Sequence, residues 1–182
     1  MGVIATKFKG LYLFEPRVFK DERGYFFESY SQKFWKEAGV EGTFVQDNES
    51  RSQYGTVRGL HYQLSPYGQD KLVRVTHGKV KDIVVDLRKD QPTYGQSFAV
   101  ELSQDNKMQM LIPQGFAHGF ITLSATAVFN YKCTNFYNKE SEAHINPLDN
   151  TLNLDWGVPQ KDLILSEKDK TGPAWGEHRA WT

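Results

Sequence analysis

The chain is poor in cysteine and has no long apolar run. Its 182 residues include a single cysteine, Cys133, so an internal disulfide cannot form, and this favours a reducing, cytoplasmic location. The N-terminal segment is too polar for a signal peptide or a membrane-spanning helix, so we expect no membrane partner. Basic and acidic residues number 22 each, which argues against nucleic-acid binding, because such surfaces are normally strongly basic.

Helical periodicity is also scarce. Between residues 43 and 136 no ten-residue segment has the apolar spacing of an amphipathic helix, and Gly, Pro, Asn and Asp divide the region into short segments. Aromatic residues make up 14% of the chain, which suits a β-rich core or a stacking pocket. The predicted strands are Thr43–Asp47, Thr56–Gln63, Lys71–Thr76, Lys79–Leu87, Ser97–Leu102, Met108–Ile112, His118–Leu123 and Val128–Phe136.

The two ends of the chain differ from this strand-rich centre. Residues 31–39 are predicted as the clearest helix, with Ser31 as N-cap and Gly39 just beyond the C-terminus. Residues 137–182 have looser patterning, so we expect turns there and one short helix near Gln160–Ile164. The sequence therefore predicts one all-β domain over residues 1–182, a sandwich or jelly roll with a short N-terminal helix and a loosely structured tail.

The most informative stretch is the predicted strand around His61, where an imidazole stands between a glycine and an amide. Side chains alternate between the two faces of a strand. One face is expected to hold Val57, Gly59, His61 and Gln63, and the other Arg58, Leu60 and Tyr62. An imidazole with a pKa of about 6.5 suits proton transfer near neutrality, so this pattern indicates a polar cavity. A lone histidine can equally be a hydrogen-bonded structural residue.

Only two of the five histidines lie in strand-like runs with glycine neighbours, His61 and His118. His77 falls at an expected hairpin turn and should be exposed. His144 and His178 lie in the loosely patterned tail, so we expect structural or exposed positions for both. The candidates for chemistry are therefore His61 and His118.

These two histidines lie in segments that resemble the two motifs of cupin barrels. Residues 113–118 contain Pro-x-Gly-x-x-His, the core of the second motif, and Gly55 stands six positions before His61, as the first motif requires. A metal-binding cupin has His-x-His and a downstream glutamate there, but the second histidine is replaced by Gln63 and the glutamate is missing. A neutral amide is a poor transition-metal ligand, so proton chemistry with no metal or other cofactor is the leading hypothesis.

Eight segments in order along the chain then narrow the resemblance. They are Phe19–Glu28, Gln46–Ser50, Arg58–Gln63, Lys71–Val73, Asp82–Arg88, Gly115–Phe120, Tyr131–Thr134 and Leu165–Asp169. On these segments the chain resembles the dTDP-4-dehydrorhamnose 3,5-epimerases, which catalyse the third step of dTDP-L-rhamnose synthesis. The resemblance implies a cupin-type jelly-roll barrel, a dTDP-sugar substrate and a homodimer.

The resemblance also implies the chemistry. The family inverts C3 and C5 of dTDP-4-dehydro-6-deoxy-D-glucose, and both carbons flank the C4 carbonyl, so loss of either proton gives an enolate. By resemblance His61 is the base and Asp169 orients it. Lys71 would stabilise the enolate oxygen, and Tyr131 would be the acid on the opposite face. A phenol with a pKa of about 10 is protonated at pH 7 and can fill that role.

Ten further residues are implied as substrate contacts. Arg23 and Arg58 are expected to bind the diphosphate, because arginine makes bidentate contacts with phosphate. His118 is expected to contact the sugar or its enolate, and we infer that Asp82 orients it. The resemblance implies that residues 23–28 cross to the partner subunit. A β-rich chain with an extended N-terminal segment also gains by pairing its edge strands with a second copy. The implied contacts are Arg23, Phe26, Glu28, Gln46, Asn48, Arg58, His118, Tyr137, Glu142 and Lys168.

Three alternatives stay open at this point. A related epimerase could act at C3 or C5 alone, because one base can serve both carbons. A non-catalytic sugar-nucleotide-binding cupin would not need both an acid and a base. A metal-dependent cupin oxygenase or isomerase is disfavoured by Gln63 in place of the second histidine.

Overall fold

Two antiparallel β-sheets form the body of the protein, as seen in a computed structural model that describes residues 2–37, 39–40 and 42–181. Met1, Ala38, Glu41 and Thr182 of the predicted domain lie outside the described residues. The strands are β1 (Gly2–Ala5), β2 (Tyr12–Glu15), β3 (Phe19–Asp21), β4 (Gly24–Phe26), β5 (Gln46–Gln53), β6 (Val57–Gln63), β7 (Lys71–His77), β8 (Lys79–Asp86), β9 (Ser97–Ser103), β10 (Gln109–Ile112), β11 (Phe116–Thr122), β12 (Thr126–Cys133) and β13 (Glu142–His144). The helices are α1 (Gln32–Glu37), a 3-10 turn (Gln160–Asp162) and α2 (Glu167–Lys170).

Strand order identifies the architecture as the predicted jelly roll. One sheet has six strands in the order β1-β2-β10-β7-β12-β5, and the other has five in the order β13-β6-β11-β8-β9. Strands β3 and β4 form a separate two-stranded hairpin. The all-β class, the short N-terminal helix and the short helical turns of the tail are confirmed.

The main core lies between the two sheets. Val73 of β7 and Phe129 of β12 come from the six-stranded sheet, and Val84 of β8 and Phe120 of β11 come from the five-stranded sheet. All four are at most 5% exposed, and full burial of such a side chain stabilises a fold by about 1.5–3 kcal/mol. The strands are therefore held face to face by apolar packing.

The C-terminal segment covers the outer face of the five-stranded sheet. Trp156, which is 4% exposed, belongs to the same apolar cluster as Leu60 of β6 and Ile121 of β11. Its indole nitrogen donates to the Pro147 carbonyl at 2.8 Å. The tail is short of regular structure but is fixed by packing, and this lets it contribute residues to a site.

One predicted turn has a different role in the structure. His77 is exposed, as expected, but Gly78 joins β7 of the six-stranded sheet to β8 of the five-stranded sheet, so the hairpin prediction was wrong. At Gly78 a Cβ would lie 2.1 Å from the Thr126 carbonyl oxygen. Glycine is needed because the chain changes sheets in tight contact with the start of β12.

Candidate active site

A cavity of about 540 Å³ lies between the sheets and the C-terminal segment. All four residues predicted to be catalytic line it: His61, Lys71, Tyr131 and Asp169. His61 comes from the five-stranded sheet, Lys71 and Tyr131 from the six-stranded sheet, and Asp169 from α2. The fold thus places an imidazole, an ammonium, a phenol and a carboxylate around one space.

The His61–Asp169 pair is the central feature of this cavity. The Nε2 atom of His61 lies 2.7 Å from Oδ1 of Asp169, which is 3% exposed. Burial alone would raise the pKa of the Asp169 carboxyl, but the hydrogen bond and charge of His61 outweigh it and lower that pKa. When His61 carries its hydrogen on Nε2, it donates that hydrogen to the Asp169 carboxylate, and Nδ1 is then the ring nitrogen that can take a proton.

Asp169 reaches His61 because the tail docks on the turn before β6. Ile164 forms a parallel bridge with Thr56, and its backbone nitrogen donates to the Gly55 carbonyl at 2.9 Å. A Cβ at Gly55 would lie 2.2 Å from the Asp162 carbonyl oxygen, so only glycine allows this approach. This contact places α2 beside His61, although His61 and Asp169 are 108 residues apart.

Ser166 fixes the start of α2. Its backbone is extended, and its hydroxyl accepts a hydrogen bond from the Asp169 backbone nitrogen at 3.1 Å. A serine N-cap three residues before the carboxylate is a recognisable sequence signal, which could have linked Asp169 to a helix start before the structure was known.

The predicted pairing of His118 with Asp82 is also present. The Nε2 atom of His118 lies 2.9 and 3.0 Å from the two carboxylate oxygens of Asp82, which is fully buried. Burial raises the pKa of the Asp82 carboxyl, and the interaction with His118 offsets part of that effect. His118 pairs with His61 on the adjacent strand, so the two imidazoles lie side by side on the cavity wall.

A bulge in β6 changes the predicted faces of this strand. Arg58 pairs with Phe120 and His61 with His118, so Gly59 and Leu60 together oppose the single residue Gly119. Both Arg58 and His61 therefore line the cavity, and the prediction that they lie on opposite faces was wrong. Regular alternation fails here because the strand carries one extra residue.

Lys71 and Tyr131 occupy neighbouring strands on the opposite wall. The Lys71 ammonium lies 5.9 Å from the centre of the Tyr131 ring, and no ion pair to Lys71 is found among the described residues. Burial lowers the pKa of Lys71, and nearby acidic groups partly oppose this. Burial raises the pKa of the Tyr131 phenol, so it keeps its proton at neutral pH.

A second polar cleft, of about 290 Å³, shares His61, Lys71 and Tyr131 with the cavity. At its edge the Tyr137 hydroxyl donates to Glu142 at 3.2 Å, and the Lys168 ammonium lies 2.6 Å from the same carboxylate. Predicted substrate contacts that line the cleft or the cavity are Gln46, Asn48, Arg58, His118, Tyr137, Glu142 and Lys168. Seven of the ten predicted contacts therefore surround one continuous site.

The other three predicted contacts lie elsewhere in the chain. Arg23 pairs with Asp21 at the tip of the β3–β4 hairpin, and the Phe26 side chain is 71% exposed. Neither they nor Glu28 line the cavity or the cleft of their own chain. Within one subunit, this group is not brought to the site.

His144, which was expected to be structural or exposed, takes a structural position in a short strand beside the site. It lies in β13, directly opposite His61 of β6, and it is half-buried. Burial, followed by the charges of Lys168 and His61, lowers its pKa. The three-residue strand that holds it is too short to give a periodic sequence signal.

Among residues 2–37, 39–40 and 42–181, no three His, Cys, Asp or Glu side chains are grouped so that they could hold a metal ion. In the same residues, no helix has the length and apolarity needed to span a membrane.

A jelly-roll barrel with a buried His–Asp pair, a lysine and a tyrosine around one cavity has the features of a cupin-type enzyme for acid–base chemistry. The chain belongs to the dTDP-4-dehydrorhamnose 3,5-epimerase family, whose model matches residues 5–177. It is 51% identical over 173 residues to the Shigella flexneri enzyme of that name, with 94% of each chain covered.

Solved structures agree with this assignment. The chain superposes on dTDP-4-dehydrorhamnose 3,5-epimerase from Elizabethkingia anophelis with a TM-score of 0.92 at 51% identity, covering 97% of each chain. It superposes equally well, at 0.92 and 48% identity, on dTDP-6-deoxy-D-glucose-3,5-epimerase from Legionella pneumophila in complex with dTDP-4-keto-L-rhamnose. That comparison covers 96% of this chain and 93% of the other.

Proposed function

We propose that this chain, as one domain, converts dTDP-4-dehydro-6-deoxy-D-glucose to dTDP-4-dehydro-L-rhamnose by inverting C3 and C5, without a metal or other cofactor. The observation that carries the proposal is the buried His61–Asp169 pair, which shares a cavity with Tyr131 from the opposite sheet. Membership of the epimerase family supports the substrate, as does the sugar nucleotide bound to the Legionella relative.

The proposed cycle begins with proton transfer from C5 or C3 to Nδ1 of His61. The electron pair of the broken C–H bond moves toward the C4 carbonyl and forms an enolate, and the Lys71 ammonium stabilises its oxygen. Tyr131 then donates its phenolic proton to the opposite face of the same carbon, which inverts it. Solvent reprotonates the tyrosinate and takes the proton from His61, so the cycle is balanced.

The same geometry suggests how the nucleotide is held. Arg58 and Lys168 are cations at the cavity and suit the two phosphates. The Nε atom of Arg58 donates to the Ser52 hydroxyl at 3.0 Å, which helps to fix its side chain. Gln46, Asn48 and Tyr137 are proposed to bind the thymidine in the neighbouring cleft. An enzyme of this pathway is proposed to work in the cytoplasm, where its nucleotide substrate is made.

Proton NMR in D2O tests the reaction. Purified protein is incubated with dTDP-4-dehydro-6-deoxy-D-glucose and no added metal, and deuterium is expected at both C3 and C5. The product should then be converted to dTDP-L-rhamnose by a 4-keto reductase. Deuterium at one carbon only would indicate a single-site epimerase, and none at either would favour a protein that only binds sugar nucleotides.

We also propose a homodimer in which the β3–β4 hairpin carries Arg23, Phe26 and Glu28 into the partner's site. Exposed apolar side chains on the hairpin support this, because Tyr25 and Phe26 are 59% and 71% exposed. The edge strands β1 and β5 also offer unpaired backbone groups to a second copy.

Complementation between two inactive variants tests the exchange. Arg23→Ala and His61→Ala proteins are each expected to have little activity. After unfolding and refolding together, a mixed dimer has one site with both native residues, so activity should recover toward about a quarter of wild type, as expected for random pairing. No recovery, with dimers confirmed by light scattering, would show that Arg23 acts within its own chain.

A further inference from the structure

Gln63 stands where a metal-binding cupin has its second histidine, and the proposed mechanism does not use it. Its side chain is 6% exposed and lies two residues from His61. The amide makes two hydrogen bonds, both to the backbone of one residue. Nε2 donates to the Asn138 carbonyl at 3.0 Å, and Oε1 accepts from the Asn138 nitrogen at 3.0 Å. The side chain therefore holds the backbone of Asn138 at both its nitrogen and its carbonyl.

The segment that contains Asn138 has no regular structure of its own. Residues 134–141 connect β12 to β13 through bends and turns. A second glutamine holds the preceding residue, since Oε1 of Gln46 accepts from the Tyr137 nitrogen at 3.1 Å. Gln46 lies in the six-stranded sheet and Gln63 in the five-stranded sheet, so side chains from both sheets fix consecutive backbone amides.

This arrangement fixes Tyr137 while leaving its ring accessible. The backbone is held by the two glutamines and the hydroxyl by Glu142, yet the residue is 53% exposed at the edge of the cleft. A side chain that is held in place before the ligand arrives loses less conformational freedom on binding. An irregular segment without these bonds would have to be ordered at the cost of affinity.

We propose that Gln63 is a positioning residue that preorganises Tyr137 for nucleotide binding and so determines affinity for the dTDP part of the substrate rather than the rate of proton transfer. The inference rests on the proposed function, because it assumes that Tyr137 contacts the nucleotide. The amide contacts Asn138 and makes no hydrogen bond to His61, so the effect should appear in binding.

The test compares Gln63→Leu with wild type by calorimetry with dTDP and by steady-state kinetics. Leucine removes both hydrogen bonds at similar volume, and we expect Kd for dTDP and KM each to rise about tenfold, with kcat within about twofold. Gln104→Leu is the matched control, because it removes an amide acceptor from the Gly78 nitrogen away from the cavity. Its Kd and KM should match those of wild type.

A second variant keeps the test decisive if the leucine protein folds poorly. Gln63→Glu keeps an oxygen that accepts from the Asn138 nitrogen. It also places a carboxylate oxygen against the Asn138 carbonyl oxygen, so the second hydrogen bond is lost. A protonated carboxyl can donate, so the ratio of its Kd to the wild-type Kd should fall as the pH is lowered. Unchanged Kd and KM, or a fall in kcat alone, would overturn the inference. Absence of epimerase activity in wild type would instead refute the proposed function.

Discussion

His61→Ala is expected to lower kcat by about 10³-fold while leaving Kd for dTDP within about threefold. General-base catalysis contributes about 10²–10⁴-fold, and the buried Asp169 carboxylate holds His61 in the tautomer that can accept a proton. His61 also lines the cleft, but alanine leaves in place Gln46, Asn48 and Tyr137, which are proposed to bind the thymidine there. Single-turnover rates and calorimetry with dTDP measure the two quantities separately.

The second cavity histidine makes this result informative. His118 lies beside His61, and its Nε2 atom is bonded to Asp82 as that of His61 is to Asp169, so His118 is the group that could replace His61 as the base. His77→Ala serves as the matched control, because His77 is exposed at the turn between the sheets and should tolerate the change. If the His61 variant kept full turnover, another group would have to be the base, and the roles assigned to the cavity would have to be redrawn.

Local pattern accounts for much of the fold but not for β5. The strand-like runs of the centre were found because apolar residues alternate or cluster in them, as in β8. Strand β5 runs over Gln46–Gln53, whereas the prediction was Thr43–Asp47. Its eight residues include no apolar side chain, so it carries no hydrophobic signal, and it is defined by pairing with β12 along its whole length.

The candidate site depends even more on long-range contacts. Turn residues, cupin spacing and family resemblance identified His61. The bulge at Gly59–Leu60, however, is defined by pairing with β11, where a Cβ on Gly59 would lie 2.5 Å from the Gly119 Cα. Asp169 lies in a polar tail segment, and its partnership with His61 depends on the docking of Ile164 against Thr56. The Ser166 cap can place Asp169 at a helix start, but no local pattern encodes its contact with His61, so only the family resemblance could link the two residues.

Tyr131→Phe is expected to separate proton exchange from inversion. Loss of the phenolic proton donor should lower net epimerisation by about 10²–10³-fold. His61 remains able to remove the C5 proton, exchange it with solvent and return deuterium to the same face. Exchange at C5 with retention of configuration should therefore stay within about tenfold of wild type, measured by proton NMR in D2O beside the rate of product formation.

The substitution is suited to this question because the ring itself is kept. Tyr131 packs 6.2 Å from the Phe129 ring centre, and phenylalanine preserves that contact and the shape of the cavity. Tyr54→Phe is the matched control, since Tyr54 is exposed and does not line the cavity. If exchange and inversion fell together, Tyr131 would be needed for enolate formation itself, and the acid on the opposite face would have to be sought among the other donors around the cavity.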